Sequence, residues 1–275
     1  MVKGAVELAR KVLPSCVRSS VYNVGFKVVS FLRHGTTDYF RMVNIETCAH
    51  CNRRCSYCPQ RTNPRAELFM SEDHVRKIID ELASLKFFGV VVWTLFNEPL
   101  LDHRLASFIA EMQSKVPGAY NTLYTNADCF DLARTEELFA AGLGRIVAAT
   151  HGTPVKKFRE MHASIFEKFS GLIDIKEIDE DSDFLCNRGG SVALTKVAEA
   201  TNYDKCMLRA IYVTCEGNVV LCCNDYYQTC TFGNISDKGL EEIWFSDGYK
   251  RIRKELRAGR RRLPVCQQCF SRSCK

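Results

Sequence analysis

Three cysteines fall within eight residues, Cys51, Cys55 and Cys58, in the stretch CNRRCSYCP (51–59). A structural zinc site more often takes two cysteines from one loop and two ligands from elsewhere, and it closes all four positions. Three thiolates on a C-x-x-x-C-x-x-C loop can instead hold three irons of a [4Fe–4S] cube and leave the fourth iron open. A cube closed by four thiolates suits structure or electron transfer. An open iron suits catalysis on a molecule bound to it.

A second cysteine set lies downstream. Cys206, Cys222 and the CQQC pair Cys266 and Cys269 offer four thiolates from separate segments. Four thiolates fit a closed tetrahedral zinc or a fully ligated iron–sulfur cluster, and spacing leaves both open. The chain has fifteen cysteines in 275 residues. It lacks the brevity of a disulfide-stapled secreted domain, so the cysteines point to metal in a reducing compartment. The first twenty residues alternate apolar and basic types and do not form the apolar core of a signal peptide. The expected location is cytoplasmic.

The elements that must position these residues follow from periodicity. RMVNIETCA (41–49) reads as a strand leading into the first cysteine loop. SEDHVRKIIDELASLK (71–86) reads as a helix with Ser71 as N-cap and Val75, Ile78, Ile79, Leu82 and Leu85 on one face. GVVVWTLF (89–96) is a continuous apolar run, as in a strand buried on both faces. A helix around Leu105–Met112, a strand at 120–126, a helix at Leu132–Phe139, a strand at 144–150, a helix through Phe158–Phe169 and a strand at 171–178 continue the alternation. Such alternation predicts a parallel α/β architecture, in which chemistry sits at the carboxyl ends of the strands. From Cys206 onward short strands and one helix (Leu240–Leu256) are expected. The N-terminal arm reads as an amphipathic helix that caps the main domain, with membrane-surface binding as the lesser reading. The chain carries a net charge of +6, and its densest basic piece, RAGRRRLP (257–264), reads as a solvated turn.

With its aromatic Tyr57 before the last cysteine, the C-x-x-x-C-x-x-C loop resembles that of the radical S-adenosylmethionine (SAM) enzymes. The resemblance implies a partial (β/α)6 TIM-like barrel and a [4Fe–4S] cluster whose open iron chelates SAM. It also implies reductive cleavage of SAM to a 5′-deoxyadenosyl radical that abstracts a substrate hydrogen. Glu98, in FNEPLL (96–101), matches the family's acidic position for the methionine ammonium, although Asn97 stands where the family has a glycine. Asn126, in YTNAD, and His151, at the end of the next strand, are the further cofactor-binding candidates. The downstream cysteines, with GNVVLCCND and FGNI, resemble the SPASM and Twitch modules that carry auxiliary [4Fe–4S] clusters. A Twitch-like module with one cluster is expected, with a full SPASM pair as the alternative. The expected division is an arm (1–40), a barrel (41–185) and a cysteine-rich module (186–275).

Within the family, EPLL, YTN, NRGG (187–190), GNVVLC and CQQC are similar to the aminocyclitol dehydrogenases. That similarity implies a sugar or aminocyclitol-like substrate and puts Arg188 at it. A carbinol radical can lose an electron and a proton to give a ketone. It can also be quenched by a thiol, with Cys223, Cys215, Cys230 and Cys186 as candidate donors, which gives epimerisation. Peptide modification is a third option, but the arm is too short for a peptide-recognition domain. A zinc-bound RNA-binding module is the non-enzymatic alternative, disfavoured by the open cysteine loop. The family expectation for the electron donor is flavodoxin or ferredoxin.

Overall fold

The computed structural model describes residues 15–178, 186–193 and 208–269, with side chains from Val24 onward. One eight-stranded sheet runs through it, in the order β5-β4-β3-β2-β1-β6-β7-β8. Strands β1 (Met42–Ile45), β2 (Val90–Val92), β3 (Tyr120–Thr125), β4 (Leu143–Ala149) and β5 (Ile173–Lys176) are all parallel. Helices α2 (Glu72–Ser84), α3 (Leu105–Lys115) and α4 (Leu132–Ala140) form the first three crossovers. The fourth crossover is broken, with α5 (Val155–Met161) and α6 (Ala163–Lys168) in place of one continuous helix. The break falls at His162, whose φ of −119° and ψ of 31° are not helical.

The sixth parallel strand, β6 (Ala210–Val213), sits beside β1 rather than beyond β5. Strands β7 (Asn218–Val220) and β8 (Thr231–Asn234) extend that edge antiparallel. The β6–β7 connection turns at Gly217, whose φ of +83° suits a residue without Cβ. The cysteine-rich segment therefore shares the sheet of the barrel.

The barrel's packing follows the apolar periods. Ser71 caps α2 by accepting from the His74 backbone N–H, and Val75, Ile78, Ile79 and Leu82 are buried. They pack with Val43, Ile45, Val91, Ile109 and Leu123 in the main core. Strand β2 is shorter than its apolar run, because Trp93 onward turns into the loop that carries Asn97 and Glu98.

Helix α1 (Ser15–His34) closes the amino end of the barrel. Its Phe26 ring stacks 4.9 Å from Phe88, and Arg33 donates to the Lys86 carbonyl at 2.8 Å, both just before β2. The expected helix over Leu240–Leu256 is two helices, α7 (Leu240–Trp244) and α8 (Asp247–Arg257). Ser246 starts the second by capping the Tyr249 N–H, a stronger local signal than the apolar period that runs across it. Glu81 at the end of α2 accepts from the Leu240 and Glu241 backbone N–H groups, at 2.8 and 2.9 Å. Buried Arg253 lies 3.6 Å over the Trp244 ring and pairs with Asp38. These contacts hold the C-terminal helices against the base of the barrel.

Candidate active site

The loops that leave β1, β2, β3 and β4 meet at one end of the sheet, and each contributes to the first cysteine loop. From β3, Asn126 Nδ2 donates to Asn52 Oδ1 at 2.8 Å and lies 3.8 Å from Cys51 Sγ. Two residues on, Asp128 accepts from Arg53 Nε at 2.6 Å and from Asn52 Nδ2 at 2.9 Å. The Arg53 guanidinium beside it, despite partial burial, holds the Asp128 carboxyl below its usual range. From β4, His151 sits with a φ of +44°, an uncommon conformation for a non-glycine residue. Its Nδ1 is hydrogen-bonded to the Tyr57 hydroxyl and lies 3.7 Å from Cys55 Sγ. The Tyr57 and His151 rings are parallel, with centroids 6.1 Å apart. Tyr57, Asn126, His151 and the loop cysteines are thus brought together.

Glu98 is also at this end, but its carboxylate is engaged within the protein. Oε1 accepts from Thr125 Oγ1 at 2.7 Å and from the Leu100 N–H at 3.1 Å, and Oε2 accepts from the Asn126 N–H at 2.8 Å. Burial pushes its pKa up to about 7 against the pull of those three donors. Asn97 folds onto its own loop, accepting from the Leu95 N–H and donating to Cys48 Sγ at 3.3 Å. Sequence reasoning passed over the brace beneath. Buried Gln60 donates to the carbonyls of Ala49 and Phe96, each at 3.0 Å, and accepts from the Arg65 N–H. Fully buried Glu46 accepts from Arg65 Nη1 at 2.6 Å, from the Cys215 N–H at 3.0 Å and from the Phe96 N–H at 3.1 Å. Arg65 also pairs with Glu216. A lone Glu or Arg in a loop gives no periodic signal, so only the fold reveals this link between β1, β2 and β6.

The second cysteine set gathers beside β7. Loss of solvent around Cys222 pushes its thiol well above the usual range, and the neighbouring thiols Cys223, Cys269 and Cys266 add to that. Cys266 lies on the short helix α9 (Pro264–Gln267), with Cys269 just after it. Cys206 lies outside the described residues. The Asn224 amide bridges two further sulfurs, donating to Cys269 Sγ at 3.5 Å and accepting from Cys186 Sγ at 3.4 Å. The NRGG stretch docks on the same segment. Asn187 Nδ2 donates to the Gln268 carbonyl at 2.7 Å. A Cβ on Gly189 would stand 2.5 Å from Val265 Cγ2, and one on Gly190 would stand 2.2 Å from Gln268 Oε1. The glycine pair therefore serves a close approach of two segments of the chain.

Arg188 is acted on electrostatically by thiols of both regions. Its φ is +49°, and its backbone N–H points to Cys186 Sγ at 3.3 Å. Desolvation works against its charge, but Cys186, Cys223, Cys58 and Tyr57 outweigh this and raise its pKa. Cys58 and Tyr57 belong to the first loop, and Cys223 adjoins the second set.

Both donor sets fit iron–sulfur clusters. The Cys51 thiol, pushed up to about 11 chiefly by burial, is also acted on by Cys58 and Cys55, so its deprotonation needs a cationic partner. Among the described residues no three His, Cys, Asp or Glu side chains converge as ligands of one ion do. Thiolates of a cube bind different irons and need no such convergence.

Comparison with known proteins agrees with this arrangement. Residues 45–163 match the Radical SAM superfamily and residues 205–270 match SPASM, an iron–sulfur cluster-binding domain. The S-adenosyl-L-methionine-dependent 2-deoxy-scyllo-inosamine dehydrogenase of Niallia circulans is 30% identical over 236 residues, covering 84% of this chain and 92% of that protein. The crystal structure of BtrN in complex with AdoMet and 2-DOIA superposes with a TM-score of 0.74 at 28% identity, covering 85% of this chain and 94% of that one. An open conformation of BtrN gives a TM-score of 0.64 at 25% identity, over 84% and 92% of the two chains. The chain belongs to the radical SAM enzymes that carry a C-terminal SPASM domain. Its cofactors are accordingly SAM with a [4Fe–4S] cluster and auxiliary iron–sulfur. That membership replaces the zinc-bound RNA-binding alternative.

Proposed function

We propose that this enzyme oxidises a carbinol carbon of an aminocyclitol or sugar-like molecule to a ketone. In this reading Cys51, Cys55 and Cys58 hold the SAM-binding cluster, and Cys222, Cys266 and Cys269 with Cys206 hold one auxiliary cluster. Together these groups supply hydrogen-atom abstraction and a one-electron acceptor. Going from carbinol to ketone removes a hydrogen atom from carbon, one further electron, and the hydroxyl proton.

The position of Arg188 carries the proposal. A guanidinium that senses Cys58 of the first loop and Cys223 beside the second set can hold a substrate hydroxyl with its carbon turned toward one region and an electron path toward the other. Because Arg188 stays protonated, its role is to position the hydroxyl and stabilise developing negative charge on oxygen, and water takes the proton. In this reading the methionine ammonium of SAM joins the Thr125, Leu100 and Asn126 donors at the buried Glu98 carboxylate and holds it ionised. The dehydrogenase relative and the BtrN complex with 2-DOIA support the substrate class. Flavodoxin or ferredoxin is the inferred electron donor, and the cytoplasm the inferred location.

One observation favours a second reading. The thiols of Cys223 and Cys186 act on Arg188, so either could return a hydrogen atom and give epimerisation. Anaerobic turnover of an aminocyclitol panel in deuterated water separates the two. The expected outcome is 5′-deoxyadenosine and ketone in equal amounts, with no deuterium in recovered substrate. Deuterium at an inverted carbinol carbon, lost in Cys223→Ala or Cys186→Ala, replaces oxidation with epimerisation. Turnover with peptides alone sinks both readings.

A further inference from the structure

Among the described residues, the outer face of α1 from Val24 onward is apolar and exposed. Val24, Val28, Phe31 and Leu32 are 61%, 52%, 58% and 77% exposed, whereas Phe26 and Ser30 on the opposite face are buried against the barrel. At 100° per residue the four exposed side chains fall within an arc of roughly 100°. Single exposed apolar residues are ordinary, but four together on one helix face mark an interaction surface.

Charge selects the occupant. Helix α1 contains Arg18, Lys27 and Arg33 and no acidic residue, and the first 34 residues of the chain hold six Lys or Arg against Glu7 alone. By register Lys27 falls at one margin of the stripe. A second copy of this helix would set like charges against like charges. An anionic lipid surface complements both features, with acyl chains for the stripe and phosphates for its margins. No helix among the described residues is long and apolar enough to cross a membrane, which leaves in-plane seating.

We infer that α1 docks the enzyme in the plane of an anionic membrane surface. The helix covers the amino ends of the strands, through Phe26 on Phe88 and Arg33 on the Lys86 carbonyl. The candidate site is at the carboxyl ends, so docking leaves its mouth facing away from the bilayer. The inference is independent of the substrate reading.

Co-sedimentation of the full reconstituted enzyme with vesicles tests it. Vesicles of phosphatidylcholine and phosphatidylglycerol, roughly three to one, are compared with pure phosphatidylcholine at about 0.1 M salt. The wild type is expected to pellet with the anionic vesicles only and to be released by high salt. The triple variant Val28→Glu/Phe31→Glu/Leu32→Glu is expected to bind about tenfold more weakly with iron content and SAM cleavage unchanged. Lys27→Glu provides a second, gentler variant that weakens binding without touching the stripe. Wild-type protein that stays in solution with both vesicles overturns the inference, as does a triple variant that pellets as well as the wild type. A concentration-dependent dimer that the triple variant dissolves, without vesicle binding, also overturns it and makes the stripe a self-association seam.

Discussion

The two cysteine regions are held in opposite ways. The first loop is a single contiguous segment gripped by polar side chains from its neighbours, Asn126 and Asp128 from β3 and His151 from β4. The second set is assembled from separate segments that meet by close backbone packing, with Gly189 and Gly190 pressed onto Val265 and Gln268. A polar grip tolerates adjustment as a ligand enters. A packed joint without room for a Cβ fixes distance. The first suits a site that must admit SAM, the second a site that must hold Arg188 at a set spacing from an electron acceptor.

The largest expected effect separates the two regions outright. Cys55→Ala should abolish SAM cleavage yet retain the auxiliary iron, whereas Cys266→Ala should lose auxiliary iron and retain SAM cleavage without substrate. Iron and sulfide counts with a 5′-deoxyadenosine assay read both outcomes, and about eight irons in the wild type against about four in each variant are expected for one cluster per region. Retained cleavage in Cys55→Ala would break the comparison.

A smaller effect sharpens the packed joint. Gly189→Ala adds a methyl at a φ of +64°, facing Val265 Cγ2 and the Asn224 carbonyl. Destabilisation of about 1–3 kcal/mol is expected, read as a lower Tm, together with a raised KM for substrate as Arg188 shifts. An unchanged Tm would mean that this joint is loosely packed.

The smallest effect concerns the polar grip. The folded-state pKa of Glu98 is raised to about 7, mainly by burial. Its contribution to stability is therefore full below the ordinary carboxylate range and is lost as pH rises toward 7. Glu98→Gln should flatten that part of the Tm-against-pH curve of the SAM-free protein. It should also weaken SAM binding at pH 8, where the wild-type carboxylate is ionised. A curve of unchanged slope would show that Glu98 is already ionised in the fold.

Much of the first region was legible in the sequence because its chemistry is local. Cys51, Cys55, Cys58 and Tyr57 share one loop, and the strand before it follows from apolar periodicity. The nearness of Asn126 and His151 to that loop is legible because the ends of β3 and β4 can be placed. Asp128 and Gln60 were missed, since an isolated polar residue in a loop shows its role only once its partner is known. Arg188 is singled out by the resemblance of its NRGG stretch, whereas the docking of Gly189 and Gly190 onto Val265 and Gln268 needs the fold. The helix breaks at His162 and Ser246 were hidden by apolar periods that run across them.

The sequence by itself determined the open three-thiolate loop, the alternating strand and helix order, and the presence of a second thiolate set. These depend on residue type and short spacing, which short-range geometry converts directly into structure. The packing of the whole chain is what sets β6 beside β1, which joins the SPASM segment to the sheet of the barrel. It alone gave Arg188 electrostatic neighbours from both regions and left Val24, Val28, Phe31 and Leu32 exposed on α1. Those outcomes depend on which distant surfaces bury each other, and burial is settled by the packing of the whole chain.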